Sequence, residues 1–399
     1  TAIIDLLMTA IIDTECVQLL LNYQADPTAL SASGATALHY AAYYGAYDVA
    51  QLLLGQPGVD INQKIRGPIP PDDMYKERDL PAVKVGDTPL RCALKGGSEV
   101  AKEMFYTLAN FHVNPEEDID EDNRNALSYA IEFHSLDVVK ILVEEIKLPI
   151  TPNNLTEAIS YYSDPDEQRF RFEEYNKEHL EIADYLCKCS TPVNVPNRDG
   201  ITPLVVAISD KNVEAVELLL KYGASVLQRT MNMTPLALAV KTGDMKPVEE
   251  SRLYKIIKML VEKRSELDVE WETEAGTTIT LLTTVIEMKP AYSVSLQVAV
   301  IKLFLQNGAN PNLGNAPPLA KAVVSKQPEI VELLLKQETT NPNVLWRGVP
   351  LLIVCAALNY AGFIEQGISM FKALLTLPKN KLDPNLKSGR PNAFIDVRL

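Results

Sequence analysis

The chain has 399 residues, of which 47% are hydrophobic and 23% charged; this is enough apolar material for a folded core, and length alone suggests two or three domains. The longest apolar run, residues 349–358, falls short of the roughly 18 residues that cross a bilayer, so we expect no membrane insertion. With 38 basic and 52 acidic residues the net charge is −14, and because Lys and Arg are dispersed among Glu, we expect no nucleic-acid partner.

The cysteine content favours a reducing compartment. Five cysteines form an odd set without the regular spacing of a secreted disulfide scaffold. We therefore expect a cytoplasmic protein. The chain opens at Thr1 without Met and without a signal-peptide pattern, so we expect a trimmed start from which targeting information is missing.

A repeated pattern begins near residue 34. Its first copy reads GATALHYAAYYG over residues 34–45, and the second reads GDTPLRCALKGG over residues 86–97. The clearest copy reads DGITPLVVAI over residues 199–208, followed by an apolar stretch at 213–220 and by YGA at 222–224. This pattern resembles the ankyrin repeat, a turn followed by two antiparallel helices with a period of about 33 residues.

Weaker copies keep the apolar residues of the pattern and lose its polar residues. They begin near Asn125, Thr234, Leu282, Pro318 and Pro350. The spacing is 32 residues from Thr202 to Thr234 and again 32 from Pro318 to Pro350, close to the family period. It grows to 52 from Thr36 to Thr88 and to 46 from Thr234 to Thr280. These excesses predict inserted loops near 63–85 and 244–252, and a stretch of aromatic and Arg residues among acids predicts a third near 160–177.

The resemblance implies an all-α ankyrin-repeat solenoid of about ten helix–turn–helix units, which we expect to run as one array over residues 1–399. Thr before each first helix can cap it, and Pro suits the first helical position because its missing N–H costs nothing there. Gly223 permits a left-handed helix exit. For His39, which stands at the family's TPLH position, the resemblance implies a structural hydrogen-bonding role.

Asp118, Asp120 and Asp122 match the first three ligands of a calcium loop. The match then fails, because Asn123 stands where the turn needs Gly and Tyr129 stands where a bidentate Glu is needed. We interpret this segment as a solvated acidic finger between repeats.

The remaining reactive side chains form no recognisable catalytic pattern. Cys187 and Cys189 are separated by one residue in a predicted helix, so they point to different sides, and no second pair completes a zinc site. The sequence contains no phosphate-binding loop, zinc-protease motif or nucleophile elbow. We therefore expect no enzyme activity, no cofactor and no bound metal.

In ankyrin-like units, the resemblance implies that partners contact the turn tips and the two residues that follow the Ala pair of the first helix. Exposed aromatic side chains at such positions are typical of interface hot spots, although here they could instead cover one another or pack on the inserted loops. The predicted partner-binding residues are Tyr43, Tyr44, Lys95, Glu132, Phe133, Tyr161, Arg198, Asp199, Ser209, Asp210 and Lys241.

We therefore predict a protein–protein interaction scaffold that binds a partner through the concave face and the turn tips. The degenerate repeats and irregular insertions are similar to those of ankyrin effectors that intracellular bacteria deliver into host cells, which would imply a host protein partner in the host cytoplasm. Two alternatives stay open: the substrate-recruiting repeat region of a larger enzyme, and the cytosolic repeat domain of a membrane protein.

Overall fold

A computed structural model describes residues 2–8, 13–31, 34–66, 85–96, 98–111, 124–160, 172–189, 192–243, 246–263, 267, 270–272, 278–287, 293–360, 362–378 and 381–387. The chain divides into two compact units, residues 1–197 and residues 198–399. Each unit is described by itself below. A single array over residues 1–399 stays a prediction of the sequence.

The first unit consists of five helix pairs in the described residues. A π-helical turn, Ile141–Glu145, continues its eighth helix. The helices are α1 (Ala2–Met8), α2 (Thr14–Asn22), α3 (Ala37–Tyr44), α4 (Tyr47–Leu54), α5 (Pro89–Lys95), α6 (Ser98–Ala109), α7 (Ala126–Glu132), α8 (Leu136–Lys140), α9 (Pro152–Ile159) and α10 (Phe172–Lys188).

Helix α10 corrects the predicted loop near 160–177. The helix begins at Phe172, so the last residues assigned to that loop are helical. Its sequence is rich in Glu, Lys and Leu, which are good helix formers, so the helix extends well beyond the apolar stripe that marks it as a repeat helix. The rest of that loop, residues 161–171, and the acidic finger around residues 118–122 lie outside the described residues.

The second unit repeats the same plan with five further pairs in its described residues and adds two short antiparallel hairpins. Its helices are α11 (Pro203–Ser209), α12 (Val213–Lys221), α13 (Pro235–Thr242), α14 (Arg252–Glu262), α15 (Leu281–Glu287), α16 (Val294–Gln306), α17 (Pro318–Val324), α18 (Pro328–Leu335), α19 (Leu351–Tyr360) and α20 (Ile364–Leu375). Its strands are β1 (Glu270–Glu272), β2 (Thr278–Thr280), β3 (Leu345–Trp346) and β4 (Val349–Pro350).

Within each unit the pairs stack in two parallel rows. The first helices contact one another in the orders α1, α3, α5, α7, α9 and α11, α13, α15, α17, α19, and the second helices form the matching rows beside them. This arrangement is the all-α stack of helix pairs that the repeats predict. Among the described residues, no helix combines the length and the apolar character needed to cross a membrane.

The ends of the helices follow from local chemistry. The Thr88 hydroxyl accepts the backbone N–H of Arg91 at 3.3 Å, which satisfies one of the donors left open at the start of α5. Thr202 makes no such bond, although Pro203 follows it as the pattern predicts. Gly223, just after α12, has a φ of 83°, which confirms the predicted left-handed exit.

The core of each unit is built from aliphatic side chains of both rows. Ile256, Ile257 and Leu260 of α14 are fully buried, and each such side chain contributes about 1.5–3 kcal/mol to stability. In the first unit the ends of α3 and α5 approach closely at Gly96, where an added Cβ would collide with the carbonyl oxygen of Tyr43. The small residue at this position is therefore required by the spacing of the two helices.

His39 has the structural role that the resemblance implies. The ring is buried in α3, and its Nε2 donates to the carbonyl oxygen of Gln63 at 2.8 Å. Asp87, in the segment before α5, offers a second carbonyl oxygen at 3.2 Å. The imidazole therefore links α3 to the loop that leads to the next helix pair.

We call the loop that leads into the first helix of a pair a finger. In the second unit, two fingers close as tight hairpins: Thr230 pairs with Met233, and Trp346 of β3 pairs with Val349 of β4. The tip residues, including Arg347 at φ 50° and Gly348 at φ 84°, are left-handed, as two-residue hairpins require.

Asparagine side chains connect neighbouring fingers of the second unit. The Asn312 amide donates to the carbonyl oxygen of Thr339 and accepts the backbone N–H of Asn341, both at 2.8 Å. The Asn343 amide repeats this arrangement with Lys381 and Asp383, in the segment after α20, again at 2.8 Å. These loops are thus held in register by side chains that lie far apart in sequence.

Candidate partner-binding surface

The two tyrosines that end α3 lie against each other. The rings of Tyr43 and Tyr44 form an edge-to-face pair with centroids 5.2 Å apart, and both side chains are half-buried. Burial raises the pKa of the Tyr43 hydroxyl well above its usual range. The structure therefore brings these two predicted contact residues together and leaves part of each ring accessible.

Lys95, at the end of α5, is buried rather than presented to a partner. Its side chain is 4% exposed, and its Nζ lies 2.5 Å from Oδ2 of Asp87, which is buried as well. The ammonium is held inside because a buried carboxylate compensates the loss of its hydration. The burial of Lys95 therefore contradicts the prediction that it contacts a partner.

Glu132 and Phe133 lie where α7 ends, and both are partly exposed. Glu132 forms an ion pair with Arg124 at 2.5 Å, and Arg124 also lies 3.7 Å from Glu157 of α9. The Arg124 guanidinium stacks 4.8 Å from the centroid of the Tyr129 ring. The end of α7 is thus a polar network that spans two helix pairs, and Phe133 lies at its edge.

In the second unit, the predicted residues are mostly accessible. Arg198, Asp199, Ser209 and Lys241 are exposed, and Asp210 is half-buried. Tyr161 is the one predicted contact residue that lies outside the described part of the chain.

The turn after α11 is tied to the end of α13. Lys211 donates from its Nζ to the carbonyl oxygen of Gly243 at 3.0 Å. Ser209 and Lys241 lie at the ends of these two first helices. They therefore belong to neighbouring repeats that are joined by a hydrogen bond.

The structure also reveals contact candidates that the sequence analysis missed. In or beside the paired finger segments, four large apolar side chains are exposed: Leu30 by 43%, Leu227 by 48%, Met231 by 71% and Leu345 by 39%. A signal in the sequence was a two-residue hairpin tip flanked by apolar residues, as at Arg347–Gly348 between Trp346 and Val349.

One finger of the second unit forms a continuous surface with the first helices. Lys321 of α17 forms an ion pair with Glu287 at the end of α15, and its Nζ lies 5.3 Å from the centroid of the Trp346 ring. Arg347 lies 5.5 Å from that ring. Cationic groups at these distances are attracted to the face of the indole. Finger and first helices therefore form one amphipathic surface, which we call the Trp346 patch.

The described residues contain no group of three or more His, Cys, Asp or Glu side chains placed to hold a metal ion. All five cysteines are free thiols. Burial raises the pKa of Cys187 to about 11 and that of Cys355 to about 12, so neither is a ready thiolate nucleophile near neutral pH.

Comparisons with known proteins agree with the repeats. A family model described as ankyrin repeats matches residues 4–65 and 174–272 in three copies. Among curated relatives, alpha-latrocrustotoxin-Lt1a of Latrodectus tredecimguttatus is 21% identical over 231 residues, which cover 56% of this chain. The ankyrin repeat and KH domain-containing protein mask-1 of Caenorhabditis elegans is 24% identical over 335 residues, which cover 82%.

The chain spans 15% of the length of the first of these relatives and 11% of the second. Two solved structures are similar in sequence by 18% and 20%: the ankyrin repeat domain of Bcl-3, with a TM-score of 0.45, and that of human ASB11, with a TM-score of 0.41. The matches cover 68% and 65% of this chain and 99% of each domain. Given the family match and the repeated helix pairs of both units, the chain contains ankyrin repeats and has an all-α fold.

Proposed function

We propose that the chain binds a partner protein through its fingers and the C-terminal ends of its first helices. Ankyrin-repeat domains are protein–protein interaction modules, generally without catalysis, and they present extended surfaces rather than deep pockets. The observation that carries the proposal is the repeated exposure of large aliphatic side chains on the fingers, at Leu30, Leu227, Met231 and Leu345.

Exposure of these side chains to water is unfavourable, and single exposed apolar residues are common on protein surfaces. Here the exposed apolar groups recur on one kind of loop, in the fingers that lead to α3, α13 and α19. The Trp346 patch adds an aromatic ring with flanking cations, a composition typical of interface hot spots. In the first unit, Tyr43 and Tyr44 supply aromatic surface at the end of a first helix.

The test of the finger surface uses the full chain as bait for proteins of a cell lysate, identified by mass spectrometry. A triple variant, Leu227→Ser, Met231→Ser and Leu345→Ser, is compared with a control that changes three equally exposed aliphatic residues of α20. The control is Ile364→Ser, Ile368→Ser and Leu375→Ser. We expect the partner to be retained by the control and reduced about tenfold or more in the finger variant. Equal capture by both variants and the wild type, with unchanged melting, would overturn the proposal.

The first unit is tested with Tyr43→Ala and Tyr44→Ala together. The control is Tyr23→Ala, because Tyr23 is the most exposed described tyrosine of the same unit, at 86%. If the double variant still captures the partner, the two tyrosines do not belong to the interface, and the fingers remain the proposed surface.

The five free thiols support the reducing, cytoplasmic compartment inferred from the cysteine content. The interpretation as a bacterial effector stays a prediction of the sequence resemblance, and a translocation reporter in infected cells would measure it.

A further inference from the structure

A polar cleft of about 590 Å³ lies in the first unit, away from the fingers. It is formed by the second helices α4, α6 and α10 together with the turn between α7 and α8. Its lining residues are Tyr47, Lys102, Glu103, His134, Ser135, Leu136, Asp137, Glu178 and Glu181. The volume is in the range of typical ligand sites, about 300–1,000 Å³.

The lining is strongly acidic. Among the described residues it contains four carboxylates and one ammonium, that of Lys102, which lies 3.2 Å from Asp137. The whole first unit shares this imbalance: residues 1–197 contain 15 Lys and Arg against 32 Asp and Glu, whereas residues 198–399 contain 23 against 20. The acidic character of the chain is therefore concentrated in the unit that contains the cleft.

The histidines beside the cleft do not offset this charge. His134 packs edge-to-face on His179, with ring centroids 4.2 Å apart. Burial, reinforced by the neighbouring ring, lowers the pKa of His134 to about 3, and burial lowers that of His179 to about 4. Both rings are therefore neutral near pH 7 and add no positive charge beside the cleft.

Ser135 gives the cleft an unused hydrogen-bonding group. Its side chain is 99% buried and lines the cleft, and its Oγ has no hydrogen-bond partner. It occupies the capping position of α8 but makes no side-chain capping bond. A buried hydroxyl without a partner costs free energy, which a bound polar group would recover.

The positions of the carboxylates favour an extended cationic ligand over a single metal ion. A metal ion needs several ligands that converge on one point, and no such group exists in the described residues. Here Glu103 is on α6, Asp137 on α8 and Glu181 on α10. Charges distributed along a cleft in this way complement a chain that carries several separated cations.

We propose that this cleft binds a basic segment of a partner protein, with Lys or Arg side chains on its carboxylates and a hydrogen bond to Ser135. This interaction surface lies apart from the fingers and goes beyond the proposed function.

The test measures binding of a fluorescent peptide of alternating Lys and Gly to the full chain by anisotropy, beside a matched peptide of alternating Glu and Gly. We expect the Lys peptide to bind and the Glu peptide not to bind. Affinity falls severalfold between about 50 mM and about 200 mM salt because exposed charges are screened. Binding of both peptides, or of neither, would overturn the proposal.

Two double variants distinguish binding in the cleft from attraction by the overall negative charge of the first unit. Glu103→Gln with Glu181→Gln removes two carboxylates of the cleft, and Glu15→Gln with Glu145→Gln removes two exposed carboxylates outside it. We expect about a fivefold loss of affinity for the first pair and less than twofold for the second. Equal losses would assign binding to the unit's overall charge and contradict the proposal.

Ser135→Ala tests the hydroxyl. Since Ser135 makes no capping bond and its hydroxyl has no partner, we expect a melting temperature that is unchanged or slightly raised, with a two- to fivefold loss of peptide affinity. A Mg²⁺ titration at constant ionic strength completes the test: saturable displacement of the peptide would identify a divalent-cation site instead. The finger variants leave peptide binding unchanged, so the outcome is independent of the proposed function.

Discussion

The backbone N–H of Thr36 donates to Nδ1 of His39 at 3.1 Å, which places the ring proton on Nε2, where it is donated to Gln63. The two sides of the ring therefore have fixed and opposite roles. Protonation of Nδ1 would remove the acceptor that holds the start of α3. A neutral imidazole is thus part of the structure of the first unit.

This arrangement predicts an acid-sensitive contribution to stability. Burial lowers the pKa of His39 from 6.5 to about 4. The unfolded chain then takes up the proton first, so the stabilising contribution present at neutral pH is lost as the pH falls from about 6.5 toward 4. We expect His39→Gln to cost about 1–3 kcal/mol at neutral pH and less in acid, as measured by urea unfolding followed by circular dichroism. A difference between wild type and variant that does not change with pH would contradict this role.

The contact of His134 with His179 predicts a second acid-sensitive element. Both pKa values are lowered, to about 3 and about 4, so protonation in the folded state is resisted and stability again falls below pH 6.5. His179→Phe keeps a ring at this position and removes one titrating group. Phe also loses the hydrogen bond of His179 with the Ala158 backbone, so the expected result is a change with pH: relative to wild type, the variant should gain about 1 kcal/mol of stability between pH 7 and pH 4. Urea midpoints measured across this pH range check the prediction, which fails if the two curves stay parallel.

Because Asp87 and Lys95 form a buried ion pair, we expect removal of one charge to destabilise the protein far more than removal of both. Lys95→Met alone removes the cation that lies beside the buried Asp87 carboxylate, and we expect a loss of about 3–5 kcal/mol. Combining it with Asp87→Leu removes both charges and should recover most of that loss. The exposed pair of Lys102 with Asp137 is the control, where Lys102→Met should leave the melting temperature almost unchanged. Similar losses in all three proteins, measured by thermal unfolding, would contradict the burial of Lys95.

Gly96 and Gly55 form a matched pair for testing the close approach of α3 and α5. Both end a helix in ordinary right-handed conformation, with φ of −73° and −74°. A Cβ at Gly96 would collide with the Tyr43 carbonyl, so Gly96→Ala should cost about 1–3 kcal/mol. At Gly55 the nearest atoms are 3.5 Å away, and Gly55→Ala should be neutral or stabilising by about 0.4–1 kcal/mol. Equal melting temperatures for the two variants would show that the helices separate without cost.

Local sequence determined the repeats, because the signals that specify a helix pair lie within a few residues of one another. The Thr–Pro starts, the buried aliphatic stripes and Gly223 are recognisable along the chain, and they set the first and second helices of most pairs. The role of His39 followed from its position in the same short motif. The start of α10 was less well determined, since a helix rich in Glu and Lys continues beyond its apolar stripe.

The tertiary structure decided which of these residues are accessible and what they contact. Lys95 occupies the same repeat position as the exposed Lys241, yet it is buried beside Asp87. The contact of Lys321 with Trp346 and the acidic cleft each join side chains from different helix pairs. The exposure of the aliphatic finger residues is likewise a property of the folded chain. A repeat pattern records the periodicity of single helices, whereas exposure and contact depend on how neighbouring repeats pack. For that reason the fold could be predicted from the sequence, but the candidate binding surfaces needed the structure.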